Sequence, residues 1–123
     1  MVEIKLTTPR IELTAELNDS PTSRLLLDIL PWRSTANTWG DEVYFDAPVA
    51  TELQADAQQV VEPGTLCYWV EGNSIAMPFG PTPISEGDEC RLVTRVNIIG
   101  KILADPKLLA EIRQGDEIRI ELA

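Results

Sequence analysis

Apolar and polar residues alternate in two runs at the start of the chain: Val2, Ile4 and Leu6, then Ile11, Leu13, Ala15 and Leu17. Period two puts one set of side chains on one face of a strand, so two half-buried strands joined at Thr8-Pro9-Arg10 are predicted. The pattern changes at Ser20-Pro21. Ser20 can cap free helical amides, and Pro21 suits a first helical turn because its missing N–H has no partner there. Leu25, Leu26, Ile29 and Leu30 then form an apolar stripe, and Pro31 stops the predicted helix.

A polar stretch from Arg33 to Thr38 leads to Trp39-Gly40-Asp41-Glu42. Alternation resumes at Val43, Phe45 and Ala47 on one strand face, with Glu42, Tyr44 and Asp46 on the other. Thr51 to Gln59 is polar and Ala-rich and reads as a loop or a short helix. Leu66–Val70 and Ser74–Phe79 read as a strand pair around the turn Glu71-Gly72-Asn73. Gly80-Pro81-Thr82-Pro83 reads as an extended loop, since proline donates no ladder bond. Arg91 to Leu103 predicts one or two strands, with Gly100 at a bulge or bend. Asp105-Pro106 repeats the cap-plus-proline device and starts a second helix running to about Gln114 and closing at Gly115. Asp116 to Leu122 is the last strand, with Ile118, Ile120 and Leu122 facing inward.

One local pattern occurs three times: Val61-Glu62-Pro63-Gly64-Thr65, Ile84-Ser85-Glu86-Gly87-Asp88 and Ile112-Arg113-Gln114-Gly115-Asp116. Each is read as a tight turn feeding a strand, with glycine at a positive-φ position. The unequal spacings exclude a repeat architecture. About eight strands and two short helices predict a mainly β protein. A closed barrel is the architecture that also removes exposed sheet edges.

Composition narrows the class. A chain of 123 residues, 44% hydrophobic, is expected to be one globular domain spanning residues 1–123. Twenty Asp and Glu against ten Lys and Arg give a net charge of −10, and the basic residues are scattered singly. Without a basic stripe, neither nucleic acid nor an anionic membrane surface is an expected partner. No apolar run is long enough for a membrane span, and Met1-Val2-Glu3-Ile4-Lys5 lacks a signal-peptide core. The expected compartment is therefore the cytoplasm, with Cys67 and Cys90 as reduced thiols. The two are not spaced as a redox pair, and Cys67 reads as a small core residue.

The sequence contains no histidine. That removes Ser-His-Asp and Cys-His nucleophile activation, histidine general acid–base chemistry and histidine-ligated metals. Any chemistry falls to carboxylates, Arg, Lys, Tyr or simple binding.

Trp39-Gly40-Asp41-Glu42-Val43-Tyr44-Phe45, Tyr68-Trp69, Gly72-Asn73, Phe79-Gly80-Pro81-Thr82-Pro83 and Val96-Asn97-Ile98-Ile99-Gly100, in that order and spacing, resemble a small prokaryotic family of cyclophilin-like proteins. The resemblance runs from about Ile11 to Leu122. It implies a closed eight-stranded cyclophilin-like barrel with a helix at each end. True cyclophilins are peptidyl-prolyl isomerases whose active strand carries a Phe-His-Arg run followed by Gln-Gly-Gly. This chain has neither, so the resemblance carries over no catalytic residue.

The candidate ligand-binding residues are Trp39, Glu42, Tyr44, Trp69, Asn73, Phe79 and Thr82. Indole and phenol rings offer large apolar area with a polar handle, which suits a small ring or a proline-containing peptide. The Asp41-Glu42 pair beside Trp39 favours a cationic or hydrogen-bond-donating ligand. The competing reading has Trp39, Trp69 and Phe79 plugging the barrel ends. Gly80–Pro83 is either a rigid lip on the groove or a plain stiff loop. Asn97, polar within an apolar strand, is expected to satisfy backbone groups. Asp41, Glu42 and Asp46 are all oxygen ligands suited to a hard cation, but no calcium-loop motif surrounds them and Asp41 and Glu42 alternate on a strand; no metal and no cofactor is expected. The leading expectation is a non-catalytic or weakly catalytic binding domain for a small molecule or peptide segment. The alternatives are a peptidyl-prolyl isomerase, with Arg91 or Arg95 as the required donor, and a structural interaction subunit.

Overall fold

A computed structural model describes all 123 residues. The strands are β1 (Val2–Thr7), β2 (Glu12–Leu17), β3 (Trp32–Thr35), β4 (Asn37–Thr38), β5 (Glu42–Asp46), β6 (Gln58–Val61), β7 (Thr65–Trp69), β8 (Ser74–Pro78), β9 (Cys90–Ile102) and β10 (Glu117–Leu122). Helix α1 spans Pro21–Asp28, and a 3-10 helix spans Pro106–Glu111. Neither is long and apolar enough to cross a membrane.

The pairing runs β3-β10-β1-β2-β9-β7-β8-β5-β4, antiparallel throughout. Only Ala36 separates β3 from β4. Its amide donates to Asp116 O at 2.8 Å, and its carbonyl accepts from the Gly115 amide at 2.8 Å. β3 and β4 therefore act as one bent strand that joins the two ends of the sheet. The result is a nearly closed antiparallel barrel with eight stations around its wall.

The polar stretch Arg33–Thr38 is thus wall and not connection. Its alternation is real but disguised, because Ser34 and Ala36 hold the inward positions that a hydrophobic pattern expects from larger residues. Thr51–Gln59 divides into a loop and the start of β6. Ile118 and Ile120 face inward as expected, but Leu122 is 60% exposed at the strand end. The second helix stops at Glu111, a 3-10 segment shorter than the run to Gln114 that the capping pattern suggested. Gly64, Gly87 and Gly115 all have positive φ, as the thrice-repeated turn requires.

Inward side chains of every station form one core. Ile4, Leu6, Leu17, Val43, Phe45, Leu66, Tyr68, Met77, Ile99 and Ile118 are all at or below 1% exposure. Register fixes where the helices sit. α1 follows the end of β2 beside Leu17, which pairs with Val2; the 3-10 helix precedes β10, whose first residue pairs with Thr35 at the far end of β3. The two helices therefore stand at opposite ends of the barrel, and each sends a leucine, Leu26 or Leu109, into the core. Ser20 caps α1 by accepting from the Ser23 amide, and Asp105 caps the 3-10 helix by accepting from the Lys107 amide.

β9 organises the rest. It is one strand of 13 residues, and its two halves do different work. Asn97–Ile102 lies in the barrel wall between β7 and β2. Cys90–Val96 runs beyond the wall and pairs with β6 instead. The bulge expected at Gly100 falls at Ile99–Gly100, where Leu66 pairs with Gly100 but Cys67 with Ile98. Gly100 is obligatory there, because a Cβ would lie 1.9 Å from Glu16 O across the β2 pairing.

Candidate functional site

Strand alternation gives β5, β8 and β7 a second face, directed away from the barrel core. Glu42 and Tyr44 on β5, Ala76 on β8, and Cys67 and Trp69 on β7 occupy it. Tyr44 pairs with Ala76, and Ala76 in turn pairs with Cys67, so the three lie in one row across the sheet. The β6–β9 ribbon folds over this face. It contributes Val61, Cys90, Leu92 and Val96 to a small second core with Cys67 and Ala76.

Between ribbon and sheet the packing is incomplete. A cavity of about 210 Å³, partly open to solvent, is left there. Its floor is Glu42, Tyr44 and Ala76; its cover is Leu92, Val93 and Val96; Trp39 and Trp69 complete the wall. Tyr44 and Trp69 meet edge to face, with ring centroids 6.2 Å apart and planes at 88°. Trp69 Nε1 is buried without a hydrogen-bond partner.

Glu42 is the one ionisable carboxylate lining the cavity. It is 6% exposed, and its Oε1 has no hydrogen-bond partner. No cation stands among the residues around it. Burial in this apolar setting raises its pKa from the usual 4.5 to about 7. Burial, followed by the nearby charge of Glu42, pushes the Cys67 thiol far above its ordinary value; burial also raises Cys90. Neither thiol is therefore a ready nucleophile.

Two sequence motifs hold Trp39 and Glu42 in place. The Trp39 amide donates to Glu42 O at 3.0 Å, which closes a tight turn through Gly40 at φ 58°. The Gly80–Pro83 loop braces this turn from outside. Asp41 N–H donates to Pro81 O at 2.9 Å, and Phe79 N–H donates to Asp41 O at 2.8 Å. The approach leaves no room for side chains: a Cβ on Gly40 would lie 2.9 Å from Pro83, and one on Gly80 would lie 2.5 Å from Asp41 Oδ2. The loop is fastened in turn to the ribbon. Thr82 Oγ1 donates to Arg91 O, and Ser85 Oγ accepts from the Thr82 and Arg91 amides.

Trp39, Glu42, Tyr44 and Trp69 therefore surround one cavity, while Asn73, Phe79 and Thr82 do not line it. Asn73 sits in the β7–β8 turn at φ 46°, where its side chain accepts from the Tyr68 hydroxyl at 3.3 Å. Phe79 packs against the barrel core, and Thr82 is the loop fastener just described. Asp46 lies at the other end of β5 and accepts from Ser74 Oγ at 3.2 Å. Asn97 satisfies backbone as its position suggested: it accepts from the Gln54 amide at 2.7 Å and donates to Glu52 O at 2.9 Å. Ala76, Leu92, Val93 and Val96 were not legible as site residues. The one hint was Ala76, a small residue between Ile75 and Met77.

The two arginines that isomerase chemistry would need are engaged elsewhere. Arg91 Nε bonds Glu89 Oε2 at 2.5 Å, with Glu86 also near; Arg95 Nε donates to Ala57 O at 3.4 Å. Neither lines the cavity.

The model of one protein family, described as cyclophilin-like, matches residues 2–121. No curated protein sequence matches the chain. Among solved structures, the solution structure of the hypothetical protein AF2241 from Archaeoglobus fulgidus is similar, at 35% identity and a TM-score of 0.83. The match covers 99% of this chain and 95% of that one.

Proposed function

The chain belongs to the cyclophilin-like family, and from the cavity on the outer face of its barrel we propose that it is a binding domain for a small molecule. The observation that carries this reading is Glu42: a carboxylate 6% exposed, unpartnered, in the floor of a cavity otherwise lined by apolar and aromatic side chains. An unsatisfied buried oxygen is costly to maintain, by roughly 1–3 kcal/mol. A ligand that completes its hydrogen bonding recovers that cost at the moment of binding. The volume supports a compact ligand, since a closed apolar cavity of about 150 Å³ is known to hold a benzene ring. A longer peptide would place at most one side chain inside.

Fragment binding followed by backbone and indole NMR shifts tests the reading. Fragments of about six to ten non-hydrogen atoms are expected to shift the Trp39 and Trp69 indoles together with the Val96 and Ala76 amides. Shifts confined to the Trp32 side of the molecule, or no saturable shifts at all, defeat it.

A further inference from the structure

We infer that the ligand of this cavity is a small organic cation, an ammonium group on an apolar body, held over the indole and phenol rings against the Glu42 carboxylate. The inference rests on the small-molecule reading above and adds the charge class. Three features converge on it. Trp39, Tyr44 and Trp69 line a space of about 210 Å³, and aromatic rings attract cations, tryptophan most strongly. Glu42 supplies the only formal charge on the lining, and no lysine or arginine neutralises it there. An anion would meet an uncompensated carboxylate in a desolvated site. A neutral apolar ligand would bring no charge to offset the ionised carboxylate, which the cavity lining leaves without a cation; an ammonium group offsets it by charge alone, with or without an N–H.

The ionisable groups facing Glu42 reinforce this selection. Cys67 on β7 and Cys90 on β9 are both held neutral. Tyr44 on β5 is the remaining titratable side chain of the lining. Nothing around the carboxylate provides positive charge, so the ligand must. Uptake of a cation below neutral pH is then linked to proton loss: the Glu42 O–H bond breaks, the proton goes to solvent, and the carboxylate pairs with the ammonium. Above neutrality the carboxylate is already ionised and no proton is released.

Phenyltrimethylammonium is a suitable probe because its charge does not titrate, so any pH dependence belongs to the protein. Its neutral isostere, tert-butylbenzene, and the anion benzoate complete the set. Indole fluorescence titrations are run on the wild type and on Glu42→Gln. The expected order in the wild type at pH 8 is cation tightest, isostere weaker, benzoate unbound. Cation affinity is expected to fall up to tenfold per pH unit below about pH 7, while the isostere's affinity shows no such fall. In Glu42→Gln the cation loses at least tenfold and its pH dependence disappears. If tert-butylbenzene binds as tightly as the cation and the cation shows no pH dependence, the charge assignment is overturned but the small-molecule reading survives. If none of the three saturates at millimolar concentration, both fall. The wild-type pH profile and the probe order stand without the variant.

Discussion

Replacing Glu42 with Gln should make the protein more stable at alkaline pH and leave it little changed at acid pH. Folding carries the carboxyl group from water into the space beneath the ribbon, and its pKa rises from 4.5 to about 7. The folded state therefore holds the proton more tightly than the unfolded state. Below the unfolded pKa both states are protonated, and the group contributes no difference. As pH rises through the interval, the unfolded chain ionises freely while the folded chain must ionise a buried group. Stability is lost across that window and levels off above the folded pKa. At about 1.4 kcal/mol per pKa unit, the loss comes to about 3 kcal/mol by pH 8. The carboxamide of Gln is nearly isosteric and does not titrate, so any constant packing offset drops out of the slope. The other shifted groups are present in both proteins and largely cancel in the difference between them. Glu89 and Asp116 have lowered pKa values and act on the acid side, whereas Cys67, Cys90 and Tyr68 act on the alkaline side. Urea unfolding of both proteins from about pH 4.5 to about pH 8.5 measures the difference directly. A wild-type-to-variant gap that stays constant across the series refutes the claim that Glu42 is buried and unpartnered.

Further outcomes follow from other features of the fold. Gly100→Ala puts a methyl group 1.9 Å from Glu16 O and should cost about 3 kcal/mol or more in urea unfolding; a loss under about 1 kcal/mol means that β2 and β9 are not packed as described. Asn97→Ala strands the Gln54 amide and Glu52 carbonyl and should cost about 2–4 kcal/mol, with amide exchange at Gln54 accelerated; unchanged exchange there argues against the contact. The two cysteines are buried with raised thiol pKa values, so a thiol reagent at pH 8 should modify neither in native protein and both in urea; rapid native modification of Cys67 contradicts the ribbon's cover. Thr82→Val removes the hydroxyl that fastens the Gly80–Pro83 loop to Arg91 O. It should cost about 1–2 kcal/mol and shift the Trp39 indole NMR signal; an unmoved signal separates that loop from the cavity wall.

Different parts of the molecule were legible to different degrees, for physical reasons. β1, β2, β5 and β10 were readable because large apolar residues alternate with polar ones, and both helices announce themselves with a cap followed by proline. β3 and β4 were hidden by small inward residues. β6 was hidden because it packs on the outer face, where Gln58 and Gln59 are tolerated. At the candidate site, indoles and the acidic residue stood out by type. Asn73, Phe79 and Thr82 stood out equally by type but serve a turn, the core and a loop. Composition cannot distinguish an aromatic that lines a cavity from one that fills a core, since both need the same ring.

The sequence by itself determined the strand periodicity, the three glycine turns, the helix starts and the exclusion of histidine chemistry. These depend on local backbone sterics and on which side chains exist at all, so no long-range contact is needed to set them. Only the tertiary structure decided that β9 runs past the barrel wall and that its first half lies with β6 over the outside of β5, β8 and β7. That placement, joining residues more than forty positions apart, turned Glu42 from a solvated carboxylate into a buried and unpaired one. Its ionisation is governed by what covers it, and the covering strand is remote in the chain.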